Sequence, residues 1–147
     1  MTIISYAIFA LLAVSLAAVS LAKADDIPVT FAQLPAQAQK LIKDTYPGEK
    51  VSYAMMDDDL IRPDYSVVLA SGVKIQFNND GSLEKIESRQ GVPTSLIPVQ
   101  ILDYVKMYSE DGFVVEYEVN RFGYDVKLSN RMEFNLNRNF KPVRFDD

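Results

Sequence analysis

The polar and apolar positions of this chain follow two periods. Leu34, Ala38, Leu41 and Ile42 are spaced as one face of an α-helix, while Gln37, Lys40, Lys43 and Asp44 fall on the other faces. Ile97, Ile101, Tyr104 and Val105 repeat that spacing further on. In each case a proline, Pro35 or Pro98, follows the first apolar residue, which suits a first turn where no N–H has to be satisfied. Thr30-x-x-Gln33 has capping-box spacing, Thr94 or Ser95 can cap the second helix, and Tyr46-Pro47-Gly48 stops the first. The rest alternates with period two, as half-buried strands do. Val51, Tyr53 and Met55 share one face, as do Tyr65, Val67 and Leu69, then Ile75 and Phe77. After the second helix come Phe113, Val115, Tyr117 and Val119, then Tyr124, Val126 and Leu128, then Met132 and Phe134. Asp80-Gly81 predicts a type I′ hairpin turn, in which both central residues need positive φ.

The second half echoes the first. Met132, Phe134, Phe140 and Val143 answer Ile75, Phe77, Leu83 and Ile86 at one constant offset. Leu83 and Ile86 break the alternation in the same way as Phe140 and Val143, and a β-bulge explains such a break. The pattern predicts an α+β fold of tandem duplicated helix-plus-antiparallel-sheet units, over about 30–88 and 92–147, with the helices packed on one sheet face. Gly91-Val92-Pro93 is the joint. The other sheet face is left to solvent or a partner. Lys74 and Gln76 are expected on it, with Glu116, Lys127, Arg131 and Glu133 as the partner-binding candidates.

The N-terminus changes the picture of location. Ile3 to Leu21 is almost wholly apolar, and Ala22-Lys23-Ala24 followed by Asp25-Asp26 reads as a cleavage site. Residues 1–24 are therefore expected to be a signal peptide cut between Ala24 and Asp25, leaving an exported protein, periplasmic or secreted, with no membrane span; the alternative is an uncleaved membrane anchor, since roughly 20 apolar residues are also enough to span a bilayer. No Cys is present for a lipid anchor or a disulfide. The net charge of −5 argues against nucleic acid as a partner. The remaining length, 25–147, suits one domain that can bury a core without staples.

Candidate chemistry is sparse. With no His and no Cys, a histidine-based triad, a thiol nucleophile and a zinc knuckle all lack their side chains. Glycine-rich phosphate loops are absent, and no cofactor is expected. The sharpest feature is Asp57-Asp58-Asp59 with Asp64, since clustered carboxylates could hold Ca²⁺ or serve acid–base chemistry. The plainer reading is a solvated loop, because the corresponding turn of the second half is Asn120-Arg121-Phe122-Gly123. Asn78-Asn79-Asp80-Gly81 lacks the spacing and final Glu of an EF-hand and reads as a turn.

Several short patterns, taken in order, carry a family resemblance: Leu34-Pro35 with Tyr46-Pro47-Gly48, Tyr65-x-Val67-x-Leu69, and Ile75-x-Phe77-x-x-x-Gly81. The second half supplies Gly91-Val92-Pro93, Tyr124-x-Val126-x-Leu128 and Met132-x-Phe134. In these the chain resembles the PepSY-like, β-lactamase-inhibitor-like family of small exported bacterial proteins. The resemblance implies a tandem helix-plus-sheet fold, no catalysis, and binding of another exported or envelope protein or peptide through the open sheet face. Two functional classes remain. The expected one is a non-catalytic exported binding or inhibitor-like module; the alternative is a carboxylate-dependent hydrolase or accessory subunit using Asp57 to Asp59.

Overall fold

The computed structural model describes residues 26–58 and 61–143; the signal segment, with Ala24 and Asp25, and Asp59 of the acidic loop lie outside the described residues. Strand β1 (Asp26–Pro28) leads through a 3₁₀ turn (Phe31–Gln33) into helix α1 (Ala36–Thr45). Strands β2 (Val51–Asp57), β3 (Tyr65–Leu69), β4 (Lys74–Phe77) and β5 (Leu83–Glu87) come next. A second 3₁₀ turn (Thr94–Leu96) and helix α2 (Val99–Tyr108) precede β6 (Val114–Asn120), β7 (Gly123–Leu128) and β8 (Glu133–Asn137). All eight strands form one sheet in sequence order, each antiparallel to the next.

The helical faces read from the sequence are the ones buried. Leu34, Ala38 and Ile42 from the first helical segment and Ile97, Ile101 and Val105 from the second join a single apolar cluster with the inward side of the sheet. One row of that inward side crosses seven strands in register: Ala54, Val67, Ile75, Ile86, Tyr117, Val126 and Phe134. The 3₁₀ turn before α1 is held as its Thr-x-x-Gln spacing requires, with the Thr30 N–H donating to Gln33 Oε1 at 2.8 Å. The β4–β5 turn is pressed against α1, where a Cβ on Gly81 would lie 2.8 Å from Pro35 Cβ and 3.1 Å from the Ala38 nitrogen.

The expectation of tandem duplicated helix-plus-sheet units is corrected by this topology. There is one continuous sheet, not two units each with its own. An additional strand, β1, precedes the first helix, and four strands follow α1 whereas three follow α2. The echo of Leu83 and Ile86 in Phe140 and Val143 does not build a strand. Phe140 has φ 61°, and among the described residues the pairing there is an isolated bridge, Leu136 to Pro142. A backbone turned through positive φ and a proline without an N–H cannot continue a ladder.

Bulges explain three further corrections. In β2 the register shifts between Val51 and Tyr53, so Ser52 is the extra residue. Val51 and Ala54 then point inward and Tyr53 is 44% exposed, contrary to the strict alternation of Val51, Tyr53 and Met55. In β6 the same shift between Val114 and Glu116 buries Val114 and leaves Phe113 exposed. The bulge expected near Leu83 is present, between Gln76 and Phe77 on the partner strand. The turn it adjoins is not type I′. Gly81 has φ 87° but Asp80 has no positive φ, and the Asn78 N–H bonds Ser82 O at 2.9 Å. That is a three-residue connection closed by a left-handed glycine.

Two tyrosines with buried groups yield predictions. The Tyr46 hydroxyl is buried with no hydrogen-bond partner, and burial followed by the nearby Glu49 charge raises its pKa. An unsatisfied buried hydroxyl costs about 1–3 kcal/mol, so Tyr46→Phe is expected to raise stability by about 1 kcal/mol in urea denaturation. Tyr117 is buried in the sheet, its ring stacked on Tyr124 at 6.3 Å, and its pKa is pushed up to about 12 by burial first and then by Tyr124. The unfolded chain ionises this group near pH 10 while the fold keeps the proton. Stability should therefore fall between about pH 10 and 12, by about 1.4 kcal/mol per pH unit from this group. Tyr117→Phe should flatten the decline in melts taken across that range.

Candidate functional site: the outward sheet face

The side of the sheet turned away from both helices carries two cross-strand rows, fixed by the register. One runs Ser66, Gln76, Lys85, Glu118, Asp125, Asn135; the other runs Val68, Lys74, Glu87, Glu116, Lys127, Glu133. Opposite charges on neighbouring strands attract, and here Lys127 is tied to Glu133 directly across and Lys85 to Glu116 on the diagonal. Lys85 Nζ bonds Glu116 at 2.7 Å and Glu87 at 3.1 Å, and Lys127 Nζ lies 3.5 Å from Glu133. The hydrogen bond that Lys85 donates to Glu116 is the largest cause of its strongly raised pKa, against the opposing effect of burial. The second row borders an open groove of about 590 Å³, lined by Lys74, Glu87, Arg89, Glu116 and Lys127 with Ser71 at its end. A hollow of about 240 Å³ adjoins it over Glu118, Asp125, Glu133 and Asn135.

The structure thus brings Glu116, Lys127 and Glu133 together as neighbours in one row. It does not put Arg131 among them. Arg131 sits in the β7–β8 turn at φ 72°, its N–H bonded to Leu128 O at 3.0 Å. Sequence reasoning missed Lys85, which holds two of the glutamates. The broken spacing of Leu83 and Ile86 was the available signal, since the bulge it marks turns Lys85 outward beside Glu116.

The acidic loop lies at the other end of the strands from the groove. The Asp57 N–H bonds Asp64 O at 2.9 Å, closing the β2–β3 connection. Burial, then the charge of Asp57, raises the Asp64 pKa. Glu84, the extra residue of the β5 bulge, is raised by burial and then by Asp64 and Glu118. A carboxyl that holds its proton more tightly in the fold costs stability once the pH is above its unfolded value, near 4.5. Glu84→Gln is expected to raise the melting temperature at pH 7 and to make little difference at pH 3, with a gain below about 1 kcal/mol because the site is partly solvated. Among the described residues no group of three or more Asp, Glu, His or Cys side chains is placed to hold a metal ion. Nor, among them, is any helix long and apolar enough to cross a membrane.

Comparison with known proteins gives the fold a family. The chain is similar to a "putative calcium-regulated periplasmic protein" of Bacteroides thetaiotaomicron, with 33% identity over 84% of this chain and 98% of that one and a TM-score of 0.78. A "putative periplasmic protein" of Bacteroides vulgatus has 31% identity over 84% and 98% of the two chains, with a TM-score of 0.79. A second Bacteroides vulgatus periplasmic protein, of unknown function, has 29% identity over 83% and 99%, with a TM-score of 0.76. No functionally curated protein matches the chain. The model of the family described as "Putative beta-lactamase-inhibitor-like, PepSY-like" matches residues 20–58 and 63–143. With the single helix-covered sheet and these matches together, the chain belongs to the PepSY-like family.

Proposed function

We propose that this protein is an exported, periplasmic, non-catalytic binding module that meets another envelope protein through the outward face of its sheet. The observation that carries the reading is the pair of charged rows with its groove, on a face that neither helix covers. The inhibitor-like description of the family and the periplasmic description of the structural neighbours support it. Charges arranged in this way favour a polar contact, in which electrostatic complementarity sets association rate and weakens with salt. The alternative, a carboxylate-dependent hydrolase or accessory subunit built on Asp57 to Asp59, has less support. The Asp57 backbone is tied to Asp64 at the end of the strand pair, and neither outward hollow is lined by Asp57, Asp58 or Asp64. Calcium regulation is named for one of these three neighbours and adds no residue to this site.

Capture from an envelope extract identifies the partner, and Lys127→Glu combined with Lys74→Glu, both in the row that lines the groove, then tests the face. The expected result is a loss of affinity of about tenfold or more with a shallower salt dependence. Unchanged affinity and salt dependence, with the fold intact by circular dichroism, would remove this face from the function.

A further inference from the structure

An open sheet has two edges, and natural sheets blunt them with proline, charge, short strands or a covering chain. Both edges here are treated in that way over most of their length. Next to β8, the returning chain bonds Val143 N–H to Asn135 O and Asn137 N–H to Lys141 O, each at 2.8 Å. At the other edge β1 is three residues long and carries Asp26 and Pro28. It stops short of its neighbour. It pairs with Met55, Met56 and Asp57, and the Val29 N–H adds a bond to Ala54 O at 3.0 Å. Val51, Ser52 and Tyr53 have β3 on one side and, among the described residues, no strand on the other. This stretch contains no proline and no charge, and the bulge at Ser52 is what interrupts it.

The surroundings of the uncovered stretch fit an incoming strand. On the helix side lies an open apolar cavity of about 480 Å³, lined by Phe31, Ile42, Tyr46, Pro47 and Val51. On the outward side the Tyr53 ring is 44% exposed. Strand addition draws its affinity from main-chain hydrogen bonds along an edge and its specificity from pockets that receive alternate side chains, and both are present here. The charge at the rim points to the rest of the ligand. Lys43 Nζ stands 5.5 Å from the Phe31 ring centroid, and among the described residues no carboxylate pairs with it. The one acid at the rim, Glu49, is already engaged, accepting the Ser71 N–H at 3.1 Å.

We propose that the start of β2 is a strand-addition site for an extended peptide segment that sets one bulky apolar side chain into the Phe31, Ile42 and Val51 cavity and an acidic residue beside Lys43. This site is separate from the outward face and stands whether or not that face binds a partner.

The test is selection of random dodecapeptides on the purified protein, followed by titration of the selected peptides against wild type, Ser52→Pro and Lys43→Glu. Proline at the bulge crowds the docking line. Reversal at Lys43, on the exposed side of α1, leaves the fold alone. Selected peptides should share a bulky apolar residue next to Asp or Glu. They should bind each variant at least about tenfold more weakly and should shift the backbone amide resonances of Val51 to Tyr53. The proposal is overturned if no peptide is enriched, if Lys43→Glu binds as wild type does, or if the shifted amides lie on the outward rows. Should Ser52→Pro fail to fold by circular dichroism, Lys43→Glu and the amide map decide the matter alone.

Discussion

Phe77→Ala is expected to cost about 3–5 kcal/mol, close to the whole stability of a small domain, which is about 5–15 kcal/mol. The ring is fully buried, at 0% exposure, and belongs to the row Tyr65, Phe77, Leu83 on the helix side of the sheet. Its neighbours cannot close around the space it leaves, because the bulge opposite fixes Leu83 and the adjoining turn is pressed against α1 through Gly81. The corresponding position in the second half makes an internal control. Phe134 is only half-buried, leaning edge-on against Tyr104 with ring centroids 5.0 Å apart. Phe134→Ala should therefore cost less, about 1–2 kcal/mol, made up of a ring-pair contribution and partial burial. Urea denaturation of both variants checks the pair of values. Equal costs, or a cost below about 1 kcal/mol at Phe77, would mean that the inward row is not the core.

The difference between those two phenylalanines is what the alternation of residue types could not convey. Sequence spacing assigns Phe77 and Phe134 the same inward direction, and both do point inward. Depth depends instead on the strands alongside. β4 has strands on either side, whereas β8 has β7 on one side and, among the described residues, no strand but the short returning chain near Pro142 on the other. The helical faces were legible in the main, since a helix of fixed pitch turns the same residues to one side along its length, with Leu41 and Tyr104 only partly buried. The long strands β2 and β6 were legible only in part. One extra residue in each, Ser52 and Val115, reverses the parity of everything before it. Joining of the two halves was not legible either. The β5–β6 pairing that makes one sheet of eight strands is a long-range register, Ile86 to Tyr117, which no local pattern encodes.

The candidate face was legible to the same degree. Glu116, Lys127 and Glu133 sit where period-two counting puts them, because their strands are regular between Glu116 and Asn120 and along β7 and β8. Arg131 was misplaced because its φ of 72° takes it off the ladder into a turn. The uncovered start of β2 had no counterpart in the sequence pattern at all. It arises from the length by which β2 outruns β1, and that becomes visible only when the strands are laid side by side.

The second large effect is expected at Gly123, the first residue of β7. It lies opposite Asn137 in the β7–β8 pair and is buried at φ 152°, a conformation that residues with a Cβ rarely adopt. A Cβ there would collide with the Leu136 carbonyl oxygen and come within 2.8 Å of the Asn137 backbone, so β8 would have to move away. Gly123→Ala is expected to cost about 3–5 kcal/mol, combining backbone strain with the loss of edge-strand pairing. Gly48→Ala separates the two effects. Gly48 also has positive φ, at 76°, but a Cβ there meets nothing within 4 Å, so strain alone applies, about 1–2 kcal/mol. Amide exchange should show the excess at Gly123 as lost protection along Tyr124 to Leu136, with protection in β2 to β4 kept. Because Lys127 and Glu133 are neighbours only through this strand pair, the same substitution should also open the end of the charged row and weaken a partner held there. Equal costs for Gly48→Ala and Gly123→Ala would show that the close approach of the two strands at Gly123 is not a feature of the folded protein.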